Sequence, residues 1–140
     1  MGSPDMSRLA APAQRAVRAS FPGLAISYDD PPKPIVTIAP VHADFGAIEI
    51  LDDSFELTVY CGRFTHVHIS NYDDGISDEE RTERIVGSLV EFLADVFSDR
   101  LEFWGSHRTG GGCRLRGQPS HLPRILRGAS AVRWSGTNER

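Results

Sequence analysis

The sequence predicts an α+β fold: an antiparallel sheet of about five or six strands, arranged as a meander, with two helices packed on one face in the order α-β-β-β-β-β-α-β. Three observations lead there. The middle of the chain holds three short runs of alternating apolar and polar residues separated by turn residues. A long amphipathic stretch follows, opened by Ser77-Asp78-Glu79-Glu80, a capping-box pattern. A shorter amphipathic stretch lies near the N-terminus, with two brief extended segments between it and the meander.

Met1–Asp5 reads as a start extension or cloning remnant ahead of Met6, so residues 6–104 are expected to form the single domain and 105–140 a Gly/Arg-rich tail. Ser7–Ser20 is the first helix, because Leu9, Ala10, Ala13, Ala16 and Val17 fall on one stripe. Phe21-Pro22-Gly23 ends it. Leu24–Tyr28 and Ile35–Ala39 are extended, and the proline-rich loop between them has no place in an inner strand. The meander follows as Gly46–Leu51, Phe55–Cys61 and Phe64–Ser70. The second helix runs from the Ser77 cap to about Phe97, with Ile85, Val86, Leu89, Val90, Leu93 and Val96 on its apolar side and three acids where a helix N-terminus favours negative charge. Leu101–Trp104 is a short returning strand. Beyond it the pattern dissolves, and Gly110-Gly111-Gly112 reads as a flexible tether.

Register decides which side chains reach solvent, because shifting a strand by one residue exchanges its faces. In Phe55–Cys61 the odd positions are apolar, and in the next strand Thr65, Val67 and Ile69 are odd while His66 and His68 are even. A two-residue turn would bury both imidazoles and expose Val67 and Ile69. Burying two imidazoles without partners would cost roughly a few kcal/mol, and the lost apolar burial would add about 1.5–3 kcal/mol per side chain. A three-residue connection, Tyr60-Cys61-Gly62 with Gly62 left-handed beside a bulge, keeps the apolar sets together. In the preceding hairpin, pairing Ile50 with Phe55 and Ile48 with Leu57 turns all four inward and sets Glu49 opposite Glu56. The expected outer surface therefore carries Glu49, Glu56, Tyr60, Phe64, His66 and His68, with no helix to cover it.

Two histidines at alternate strand positions stand side by side, and Glu56 or Glu49 would complete a His and carboxylate ligand set; His42 and Asp44 offer further donors from a loop. This makes a small metal-dependent hydrolase centred on His66, His68 and Glu56 an alternative, with a divalent metal as its cofactor and Glu56 as base. The leading expectation needs no cofactor. Cys61 fits the apolar side of its strand and reads as core filler, while Cys113 lies among arginines; two cysteines make no disulfide framework or zinc ribbon. Ser106-His107 and Ser120-His121 are adjacent pairs, and adjacency does not build a catalytic dyad.

Charge is split along the 140 residues. Residues 105–140 hold seven arginines and one acid, a net +6, and residues 1–104 hold eight basic and eighteen acidic side chains, a net −10, for a total of −4. The tail arginines Arg108, Arg114, Arg116, Arg124, Arg127 and Arg133 would bind nucleic acid, with Trp134 stacking on a base, or dock on the acidic body of this or a second copy. The acidic body repels nucleic acid, so an accessory nucleic-acid protein is the lesser alternative. No apolar run is long enough to span a membrane and no secretory signal opens the chain, so the expected compartment is the cytoplasm.

These features favour a non-enzymatic cytoplasmic domain that binds a protein partner or itself through the open sheet face or the acidic helix start. The stretch from Glu56 through Trp104, with its Phe64-Thr65-His66 strand and long capped helix, resembles small bacterial α+β proteins of unassigned function. In its acidic, compact build the chain is similar in general character to bacterial immunity proteins that mask a toxin.

Overall fold

The computed structural model describes residues 8–106, 108, 110–116 and 131–137. Helix α1 spans Ala10–Ser20, and strands β1 (Ile26–Tyr28), β2 (Val36–Ile38), β3 (Ile48–Asp52), β4 (Leu57–Cys61) and β5 (Thr65–Ile69) follow. Helix α2 spans Asp78–Phe97, and β6 (Leu101–Ser106), β7 (Gly110–Leu115), β8 (Val132–Arg133) and β9 (Gly136–Thr137) come after it. Strands β1 to β5 form one antiparallel sheet in sequence order, the expected α+β meander. The remaining four form a second sheet ordered β7-β6-β8-β9.

Period-two alternation sets the core. Val36, Ile38, Ile48, Ile50, Leu57, Val59 and Cys61 are buried on the inner face, against Ala10, Ala13 and Val17 of α1 and Ile85, Val86, Leu89, Leu93 and Val96 of α2. The small residues of α1 let the two helices pack closely. Gln14 ties α1 to the sheet by donating to the carbonyls of Asp29 (2.8 Å) and Ile35 (3.0 Å). At the start of α2, Ser77 Oγ accepts the Glu80 N–H at 3.1 Å. Glu80 turns its carboxylate to Arg84 (2.6 Å), so the side chains complete one half of the capping box.

The β4–β5 register is the one that keeps the apolar sets together. Leu57 faces Ile69, Val59 faces Val67 and Cys61 faces Thr65, while Tyr60 faces His66 and Thr58 faces His68. The connection has three residues, Gly62, Arg63 and Phe64, two positions further on than expected. Gly62 is left-handed, with φ of +54°, and a Cβ there would stand 1.9 Å from the Phe45 carbonyl oxygen. Because Phe64 belongs to this loop, strand alternation does not govern it. Its ring turns inward beside Phe45 (5.6 Å between centroids) and Phe103 (6.2 Å) and is buried. The expectation that Phe64 lies on the outer surface is thereby corrected.

The β3–β4 hairpin also differs. Ile50 pairs with Val59, Ile48 with Cys61 and Glu49 with Tyr60, four residues from the expected register. The loop is longer, running from Asp53 to Glu56. Ser54 N–H donates to Asp52 Oδ1 (2.9 Å), Ser54 adopts φ of +73°, and Asp53 N–H reaches the Glu56 carbonyl (2.9 Å). A shift by an even number preserves the faces, which is why the core prediction survives it. Phe55 leaves the strand and stands in solvent, and the expected opposition of Glu49 and Glu56 does not occur.

The second sheet closes one end of the core. Phe103, Val132 and Trp134 are buried, and Trp134 packs on Phe45 (5.3 Å) and Phe97 (5.0 Å). Gly110-Gly111-Gly112, expected as a tether, is part of β7. A Cβ on Gly111 would meet the Phe64 carbonyl oxygen at 2.1 Å, so glycine is what permits this strand to approach the β4–β5 loop.

Candidate functional site

The outer face of the five-stranded sheet is built by the even positions of β4 and β5. Cross-strand pairing aligns Ser27, Thr37, Glu49, Tyr60 and His66 in one row, and Leu51, Thr58 and His68 in the next. Glu49, Tyr60, His66 and His68 are exposed, and among the described residues no helix lies over them. Tyr60 and His66 rings are 5.2 Å apart, and the rings of His66 and His68 meet edge to face at 5.0 Å.

His68 leads from this face to the hairpin loop. Its Nδ1 is 2.6 Å from Glu56 Oε2 and 3.2 Å from Thr58 Oγ1. Thr58, buried despite its outward position, donates its hydroxyl proton to Asp53 Oδ2. Tyr72 donates to Glu56 Oε1 at 3.2 Å. Ligand atoms of Asp53, Glu56 and His68 all fall within 4.8 Å of one another. The structure thus brings together His68 and Glu56 of the expected metal set. His66 stands beside His68 but outside this group, as do Glu49, His42 and Asp44. Asp53 was missed by sequence reasoning, because only the fold-back of the loop carries it to His68. The signal was the hydrogen-bonding Asp52-Asp53-Ser54 turn.

The neighbouring Asp52 points to the inner side of the sheet. Burial raises its carboxyl above the ordinary value of 3.8, with the Asp53 charge adding to the shift and the Ser54 N–H opposing it. One of its oxygens, Oδ2, is buried without a hydrogen-bond partner among the described residues. Cys61 and Cys113 are free thiols pushed up by burial, Cys61 far more strongly, which removes the thiolate that nucleophilic use would require.

Beside the hairpin loop runs a groove of about 390 Å³ whose lining includes Phe55, Tyr72, Arg8, Arg81 and Ile85. Phe55 is 81% exposed and Tyr72 74%, the two largest values for large hydrophobic side chains among the described residues. At the acidic start of α2, Asp78 is held by Arg8 and Arg81, both at 3.1 Å, and Arg84 binds Glu80 and Asp73. The Gly75 N–H, then Arg84 and Arg81, hold the Asp73 carboxyl below its ordinary range.

Of the tail arginines, Arg114 stands 3.5 Å from Glu102 across the β6–β7 pair, and Arg116 donates to the Asp99 carbonyl at 3.3 Å. Arg108 is exposed, and Arg133 is half-buried in β8. Arg124 and Arg127 lie outside the described residues, as do His107, Ser120 and His121. Trp134, expected as a base-stacking residue, is buried at 3% exposure and has no face to offer a nucleotide. Among the described residues no helix is long and apolar enough to cross a membrane. Compared with known proteins, the chain matches no family model, no curated protein and no solved structure.

Proposed function

We propose that this chain is a non-enzymatic protein-binding domain whose partner docks on the open face of the five-stranded sheet. The observation that carries the reading is the pair Phe55 and Tyr72, standing largely in solvent in the groove beside the β3–β4 loop, where Tyr72 reaches Glu56 next to His68 of that face. Each forgoes about 1.5–3 kcal/mol of burial that a partner would recover. From Tyr72 a continuous chain of contacts crosses the surface through Glu56, His68, His66 and Tyr60. Aromatic side chains ringed by polar groups are the usual anchors of protein interfaces. The acidic helix start supports docking less well, since Arg8, Arg81 and Arg84 already neutralise Asp78, Glu80 and Asp73.

Photo-crosslinking in the cells that naturally make the protein tests the reading. A photoreactive residue at Tyr60 or Tyr72 is expected to capture the same protein, which a probe at Glu91 on the exposed side of α2 does not. Against that purified protein, the double substitution Phe55→Ala and Tyr72→Ala is expected to weaken binding at least about thirtyfold, the loss typical of interface anchors. Absence of an adduct at both positions, or adducts identical to those from Glu91, would contradict the proposal.

A further inference from the structure

We infer that Asp53, Glu56 and His68 form a binding site for one divalent transition-metal ion of the zinc or manganese class, at the tip of the β3–β4 hairpin. The argument begins with charge. Asp53 and Glu56 bring two carboxyl groups together beside His68, while Asp52 turns to the inner side of the sheet. Among the described residues no lysine or arginine pairs with either of them, and His68 is the basic side chain beside them. At the start of α2, by contrast, Asp78, Glu80 and Asp73 are paired with arginines. The hairpin tip is therefore a concentrated negative site with an imidazole at its centre.

Geometry supplies the second part. Three ligand atoms from two adjacent elements, the loop and β5, already lie within 4.8 Å of one another, so side-chain rotation alone brings them toward a shared ion. The donors are held from behind by groups that would not themselves touch it. Thr58 Oγ1 fixes Asp53 through a hydrogen bond, and Tyr72 OH fixes Glu56 at 3.2 Å. Outer partners of this kind orient ligands and tune affinity about 10- to 100-fold. Two carboxylate oxygens and one imidazole nitrogen suit zinc or manganese, while an all-oxygen set would suit calcium or magnesium. Three protein ligands leave coordination positions to water. His66, although adjacent, stays outside the ligand set. Glu56 and His68 also belong to the proposed docking surface, but ion binding is argued and read without any partner.

Zinc or manganese alone, titrated into the full chain by calorimetry, tests the site. One ion per chain is expected, with a rise in Tm at saturation. Asp53→Asn and His68→Asn are each expected to weaken binding at least about tenfold and Thr58→Val about tenfold, as for removal of an orienting group, while His66→Asn leaves it unchanged. Asp53 and His68 are exposed, so both variants should keep the parent's unfolding curve without metal, which guards against misfolding as the cause of a loss. The inference is overturned by absence of binding in the parent. It is equally overturned if Asp53→Asn and His68→Asn bind as tightly as the parent, or if His66→Asn abolishes binding while they do not.

Discussion

Asp52 occupies the last position of β3, where alternation turns its side chain toward the core. Its carboxyl is raised by burial, so the folded state holds the proton more tightly than the unfolded chain does. The stabilisation from protonation is therefore complete below about pH 3.8 and is lost as pH rises through the higher folded value. At pH 7 the ionised group is a net cost. Asp52→Asn is expected to raise Tm at pH 7 by about 1–3 °C, with the gain vanishing near pH 3; a gain that persists at pH 3 would argue for packing as the cause. Phe55 and Phe64 make a second contrast at this scale. Both stand next to strands, and the alternating pattern assigns Phe55 inward and Phe64 outward. The loops reverse both, since neither residue belongs to a ladder. Phe64→Ala is expected to cost about 3–5 kcal/mol in urea unfolding, as for a buried ring, and Phe55→Ala less than about 0.5 kcal/mol, as for a surface site.

The elements most legible in the sequence are those with a strong period. The α2 boundaries follow from the Ser77 cap and the apolar stripe ending near Phe97, and the structure places the helix at Asp78–Phe97. Ser77→Ala is expected to lower stability by about 1 kcal/mol, measured by urea unfolding, because it removes the acceptor for the Glu80 N–H. The parity of β4 and β5 was legible too, since only one choice of faces keeps the apolar sets buried. Hairpin register was not. The Asp53–Glu56 loop is set by the Ser54 N–H donating to the Asp52 carboxylate and the Asp53 N–H to the Glu56 carbonyl, which a count of apolar positions does not register. That loop is what creates the candidate metal site. Glu56 and His68 were readable from spacing, whereas the approach of Asp53 depends on a turn whose length the pattern leaves open. The β6–β7 pair was hidden for another reason. Its glycines resemble a tether in composition, yet Gly111 is there because the Phe64 backbone leaves no room for a Cβ.

For the molecule as a whole, the sheet is asymmetric. One face is sealed by α1 and α2 and, at its end, by Phe103 and Trp134 from the second-sheet region packed on Phe45 of the β2–β3 connection. The other carries Glu49, Tyr60, His66 and His68 into solvent, bordered by Phe55 and Tyr72. The charge division seen along the chain is partly folded into this body, since Arg114 meets Glu102 and Arg116 caps the turn at Asp99. The open surface is therefore the feature on which a functional role can be built, and both proposals draw on residues of that face or its margin. Its exposure is measured most directly by NMR with a soluble paramagnetic agent. The ring protons of His66 and His68 are expected to relax strongly while the methyl groups of Leu57, Val59 and Ile69 stay protected. Protected imidazole rings, with Val67 and Ile69 broadened instead, would contradict the account.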